Sequence, residues 1–283
     1  MPARAVVTAR QRRLGAELRK LRERAGLASR EAARTSGIAE SKLSWIESGK
    51  VGVSPERVRH LAQEYACADA DLVESLAAMA RERGRGWWAE FEEALPSAFL
   101  DLAEMEHHSA YLRTFESVQV PGLLQTEEHV RAIYSASVPQ FTPEQVETRT
   151  SFRLTRQAVL ERGQPFSYQA VIHEAALRVR VADRGVARRQ LVHIIEQSER
   201  PGAVIRVVPF DTDGFTRIGN PLLYAGGATA QLDTVLVDSP IGGSLIDAEA
   251  QLARYRRILD DVEAVALDAV GSRDLIHRLS REL

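Results

Sequence analysis

The sequence predicts a multidomain chain, an all-α N-terminal domain followed by a mixed α/β (α+β) C-terminal domain. Three observations predict it. Residues 9 to 80 hold short runs of helical apolar spacing separated by glycine and by capping residues. From 166 to 210 the pattern changes to an apolar run, an amphipathic stretch and a second apolar run, the order of a strand, a helix and a strand. Charge also divides the chain into two parts. Residues 1 to 65 carry fourteen Lys or Arg against seven Glu and no Asp, a formal +7; the whole chain is −2, so the other 218 residues carry −9.

In the first part, Leu14, Leu18 and Leu21 form the apolar stripe of a helix that stops at Ala25-Gly26. Ser29 is placed to cap a second helix with Ala32 and Ala33 inward and Leu27 beside them. Gly37 supplies the backbone freedom of a tight turn and Ile38 plugs the corner. Leu43 and Ile46 then bury a third helix, which leaves Glu40, Ser41, Ser44 and Trp45 outside. Ser54-Pro55-Glu56 starts a fourth helix with a cap, a proline at the first helical position and an acid at the positive dipole end. Its inward face is Val58, Leu61, Ala62 and Tyr65. A fifth helix begins near Asp69, with Leu72, Leu76 and Met79 inward. Two short helices joined by a glycine turn, the second polar outside, are the pattern of a helix-turn-helix that reads DNA.

Gly84 and Gly86 break the helical pattern, and Trp87, Trp88 and Phe91 start a new apolar surface that reads as a packing anchor. A strand is expected over 111 to 120, closed by Pro121-Gly122, with helices at 126 to 136 and 143 to 162. Residues 166 to 175 read as a strand, 186 to 200 as a helix and 203 to 210 as a strand parallel to the first. A hairpin over 221 to 226 and 233 to 239 follows, then helices over 247 to 266 and 272 to 282. The expected domains are a basic tail (1–12), a helix-turn-helix domain (13–80), a connector (81–95) and a regulatory, partner-binding domain (96–283).

Composition narrows the setting. No apolar run approaches the length of a membrane span, the apolar stretch at the N-terminus is too short for a signal peptide, and Cys67 is the single cysteine. A cytoplasmic, nucleoid-associated protein without disulfides is expected. A basic module joined to an acidic one suits phosphate contact by the first and contact with protein or solvent by the second.

Leu27 to Gly49 resembles the Xre, or lambda-repressor-like, family through Gly37-Ile38, Ser41, Leu43-Ser44, Ile46-Glu47 and Gly49. The remainder is similar to the large antitoxin-like regulatory domain attached to such modules in streptomycetes and their relatives. The similarity is carried by GWW at 86 to 88, VPGLLQTEEHVRAIY at 120 to 134, RLTRQAVL at 153 to 160, HEAALR at 173 to 178, RQLVHI at 189 to 194 and VIRVVPF at 204 to 210. The resemblance implies a transcriptional regulator with a small partner protein encoded nearby, and an Arg22–Glu47 pair that fixes the recognition helix. PGLLQT also has an ordinary reading as a turn, two buried leucines and a helix cap at Thr126.

No catalytic, metal or cofactor motif is complete. A Ser-Lys protease dyad needs a lysine in the second domain, and none follows Lys50. His173-Glu174 begins a zinc-peptidase motif, but the position four beyond His173 is Leu177. Glu106-His107-His108 has the wrong spacing for two ligands on one helix face. The glycine pairs 226–227 and 242–243 lack the context of a phosphate loop. A non-enzymatic regulator without cofactor is therefore expected, and the alternatives are a small-molecule sensor or cryptic hydrolase using the DNA module as an address, or a scaffold that no longer reads DNA.

The partners expected are double-stranded DNA, a second copy of the chain and the small partner protein. Glu40, Ser41, Ser44 and Trp45 are expected to face base edges. Glu40 would accept from a cytosine amino group and Trp45 would pack on a thymine methyl or a sugar edge. Ser29, Arg30, Lys42 and Lys50 are expected on the phosphate backbone, with the amide end of the helix at Ser29 aimed at one phosphate.

Overall fold

The computed structural model describes residues 7–82, 84–163, 165–215, 221–238 and 243–283. The chain divides into two compact units, one running to Glu90 and taking in Phe99–Glu104, the other made of Phe91–Ala98 and Met105–Leu283. Residues 1–6 of the expected basic tail, Gly242 of the second glycine pair and Ser239 of the expected hairpin lie outside the described residues.

The first unit is helical: α1 (Ala9–Arg24), α2 (Ser29–Thr35), α3 (Glu40–Glu47), α4 (Pro55–Glu64) and α5 (Ala70–Arg81). α1 starts inside the stretch read as a tail because Thr8 and Gln11 form a reciprocal capping box. Ser54 and Asp69 cap α4 and α5 through the amides of Arg57 and Leu72. Leu14, Leu18, Leu21, Ala32, Ala33, Leu43, Ile46, Val58, Leu61, Ala62, Tyr65, Leu72 and Leu76 are all buried. Ser29 is a correction. Ala28 holds the N-cap position of α2 without a side-chain cap, and Ser29 is the first helical residue.

α6 (Ser97–His108) is shared by the two units, and the second unit builds a six-stranded sheet. In order come β1 (Tyr111–Glu116), α7 (Glu127–Ser135), α8 (Pro143–Gln157), β2 (Ser167–His173), α9 (Glu174–Arg178), α10 (Arg184–Ser198), β3 (Ala203–Val208), β4 (Leu222–Gly226), β5 (Thr234–Val237), β6 (Ser244–Ile246), α11 (Glu249–Val265) and α12 (Ala269–Glu282). The sheet order is β3-β2-β1-β4-β5-β6. β1, β2 and β3 run parallel, and β4, β5 and β6 continue antiparallel.

Both faces of the sheet are covered, which explains why β2 and β3 read as near-continuous apolar runs. Leu112, Ile172, Ile205 and Val207 pack on one side with Leu191 and Ile194 of α10 and Ile276 and Leu279 of α12. Phe115, Val171, Val208 and Tyr224 pack on the other with Leu252, Leu259 and Val262 of α11. The outer edge of β3 is closed, since Val207 N donates to Ser272 Oγ and Leu267 N to Val207 O, both at 2.9 Å.

Several expected elements end early, among them β3 at Val208 rather than 210 and α10 at Ser198 rather than 200. β1 stops at Glu116 rather than 120, because the next residues turn toward the PGLLQ segment. β2 stops at His173 rather than 175; His173 Nδ1 accepts from Ala175 N at 3.2 Å and so caps α9. α8 gives way at Ala158 to a 3-10 turn, Ala158–Glu161. β6 was not expected, since three residues are too few to show a period.

Candidate nucleic-acid interface

α2 and α3 are joined by the turn at Gly37, whose φ of +66° lies in the region open to glycine. Ile38 N donates to Ala33 O at 3.0 Å, closing the end of α2. α3 is held from behind by α1. At the crossing, a Cβ on Gly15 would stand 2.5 Å from the Glu47 carbonyl oxygen and 2.6 Å from that of Ile46, so only glycine permits this approach. Arg57, which the sequence reading did not single out, donates from Nη1 to Ser36 O at 2.9 Å and ties the turn to α4. No sequence signal marks that contact.

Arg22 and Glu47 make a two-pronged ion pair between α1 and the end of α3. Nε donates to Oε1 at 2.7 Å and Nη2 to Oε2 at 3.0 Å, while Nη1 donates to Leu27 O at 2.8 Å. Both side chains are buried, under 10% exposed. The hydrogen bond to Glu47 raises the Arg22 pKa above its ordinary value against the effect of burial. Burial and the Glu47 charge push the neighbouring Tyr65 hydroxyl up to about 12. A forked pair of this geometry sets the angle between two helices more firmly than a lysine could.

The opposite face of α3 is open. Glu40, Ser41, Lys42, Ser44 and Trp45 are exposed, with Trp45 48% accessible, so its ring does not pack inward. Arg30 and Lys50 are exposed and Ser29 is half-buried. Val51 N donates to Trp45 O at 3.2 Å, which holds the start of the loop carrying Lys50 against α3. Arg34 belongs to the same surface and was missed; it is exposed on α2 one turn beyond Arg30, a spacing legible in the sequence. The arrangement can present a polar helix to a groove, with cations on its margins.

In the second unit, the PGLLQT turn is pinned by glutamines. Gln125 Nε2 donates to Val120 O at 2.7 Å, Gln157 Nε2 to Gln125 O at 2.7 Å, and Gln190 Nε2 to Leu124 O at 2.6 Å. Gln190 Oε1 accepts from Thr126 N at 2.8 Å, and Thr126 caps α7. Arg153 lies beneath, donating from Nη1 to Gln125 Oε1 at 2.7 Å and from Nη2 to Tyr134 Oη at 2.8 Å. Glu106 is buried, and both its oxygens accept from Arg156, at 2.7 and 2.8 Å. The sequence reading missed this pair because the partners are fifty residues apart.

Other candidate chemistry is committed to structure. Glu174 Oε1 accepts from Arg178 Nε at 2.7 Å and Oε2 from Phe210 N at 3.0 Å. No group of three or more His, Cys, Asp or Glu that could hold a metal occurs among the described residues, and no described helix is long and apolar enough to cross a membrane.

Two family models match the chain. A helix-turn-helix domain matches residues 13–76, and a domain of unknown function, DUF5753, matches residues 99–278. The chain belongs to the DUF5753 family. The helix-turn-helix match marks it as a DNA-binding regulator with a DUF5753 domain C-terminal to the DNA-binding one in sequence. No match is found among curated proteins or among solved structures.

The DUF5753 domain has a pH-sensitive point at His129. Burial first, then the Arg153 charge, hold its pKa down to about 4. An unfolded histidine titrates near 6.5, so the unfolded chain takes up the proton first as pH falls. Stability of this domain is therefore expected to drop between pH 6.5 and 4, by about 3 kcal/mol at the lower limit. Chemical denaturation at pH 7 and pH 4.5 checks it, and His129→Leu should remove most of the pH dependence assigned to this residue.

Proposed function

We propose that this chain is a sequence-specific transcriptional regulator of the Xre type that binds double-stranded DNA as a homodimer, with α3 in the major groove of each half-site. The observation that carries the reading is the face of α3. It is exposed along Glu40, Ser41, Ser44 and Trp45 while its back is fixed to α1 by Arg22 and Glu47. Glu40, Ser41, Ser44 and Trp45 face base edges. Ser29, Arg30, Lys42 and Lys50 contact phosphates and position the helix without reading sequence. Two copies bind half-sites about one helical turn, roughly 34 Å, apart.

The second unit takes a protein signal and performs no catalysis. Support comes from the formal −9 carried by the chain beyond residue 65 and from its similarity to antitoxin-like regulatory domains with a small partner encoded nearby. A partner that prefers one arrangement of the two DNA heads changes operator affinity, and the operator changes partner affinity by the same factor. Such a protein works in the cytoplasm, at the nucleoid.

Neutralising Lys50 with Lys50→Gln separates position from readout. It should weaken specific and non-specific binding alike and reduce the slope of log affinity against log salt by about 1. Titration of the full chain on selected and on random duplexes at several salt concentrations measures both. A changed base preference with an unchanged slope would contradict the role.

A further inference from the structure

At about 100° per residue, Glu40, Ser41, Ser44, Trp45 and Ser48 fall within an arc of about 140° on α3. Lys42 lies about 60° beyond Trp45, at the flank next to buried Ile46. The central arc thus holds no arginine, lysine, asparagine or glutamine. Those are the side chains whose paired hydrogen bonds read guanine or adenine in the major groove. What the arc does hold is one carboxylate, three small hydroxyls and one large ring.

Trp45 is the one exposed large apolar side chain among the described residues of the first unit. Leu43 and Ile46 make the buried side of α3, and about half of the Trp45 surface stays open. Ser41 and Ser48, at i−4 and i+3, are small enough to let the ring come down onto a base edge. Glu40 forms no ion pair among the described residues, and a carboxylate only accepts hydrogen bonds. The base amino group it can take without a paired donor is that of cytosine. Trp45 lies five positions after Glu40, about 7.5 Å of helix rise, or roughly two base-pair steps.

We propose that the chain reads its half-site through pyrimidine edges, with Trp45 sensing the C5-methyl group of a thymine and Glu40 accepting from a cytosine amino group about two steps away. The inference rests on the DNA-reading function proposed above. It adds the ligand chemistry: the thymine methyl is itself a determinant of affinity.

Randomised-site selection with the full chain supplies the duplex, and each thymine in turn is then replaced by deoxyuridine, which removes only the methyl group. At one thymine per half-site, affinity should fall about fourfold, the value of one methyl group taken out of water. Trp45→Ala should bind the thymine and deoxyuridine duplexes equally, whereas Trp45→Phe should keep a preference. Glu40→Gln should move the preference at the cytosine toward adenine, since an amide pairs with adenine. Circular dichroism shows whether the variants fold, and the deoxyuridine series on the unaltered protein needs no variant. A penalty equal in the unaltered chain and Trp45→Ala overturns the inference, as does no penalty at any thymine. Recovery of no common site would overturn the DNA-reading function itself.

Discussion

Glu106→Ala should destabilise the second unit by about 3 to 5 kcal/mol, a large part of the 5 to 15 kcal/mol that holds an ordinary domain together. The cost comes from what remains. Arg156 is buried with its Nε and Nη2 given to the two Glu106 oxygens, at 2.7 and 2.8 Å. Truncation leaves that guanidinium out of water with no counter-charge, and Arg153 one turn away adds a second positive charge to the same region. The pair Glu106→Leu with Arg156→Met should recover most of the loss, because two apolar groups of similar volume carry no desolvation cost. Urea denaturation of the full chain, followed by circular dichroism, measures all three variants. A loss below about 1 kcal/mol for Glu106→Ala is the behaviour of an exposed pair and would contradict the account.

Glu47→Ala should have an effect of the same order in the first unit, about 3 kcal/mol or more, and should also cost DNA affinity. Arg22 would keep its bond to Leu27 O but lose both contacts to the end of α3. The angle of the recognition helix is set by that fork and by the close approach at Gly15. Loosening it should therefore weaken binding to a selected duplex more than to a random one. Denaturation gives the first quantity and the ratio of the two affinities gives the second. An exposed ion pair such as Arg59–Glu74 provides the control, because its removal should change neither quantity appreciably.

The first unit was the more legible because its contacts are local. Leu14, Leu18 and Leu21 declare a face within one helix, Ser54-Pro55-Glu56 declares a start, and Gly37 declares a turn, each within a few residues. Ser29 misled because a serine before an apolar run has the composition of a cap. The chain instead enters α2 one residue earlier, at Ala28. In the second unit, strand and helix order could be read from periodicity, but register and the long-range polar pairs could not. Glu106 and Arg156, or Gln190 and the PGLLQT turn, meet across 50 and 64 to 66 residues. The exposed face of α3 was legible for the same reason as its buried face, since the two are complements on one short helix. Arg57 and Gly15 were not, because their roles depend on which helix lies across them.

Sequencing of the DNA that co-purifies with the full chain from its own cells tests reading by α3 most directly. Sequence-specific reading by α3 predicts fragments enriched in one common motif, as paired half-sites about one helical turn apart. It also predicts that the motif changes or disappears with Glu40→Ala or Ser44→Ala, while total bound DNA falls less. Fragments sampling the genome without a shared motif, or an unchanged motif with both variants, would contradict it.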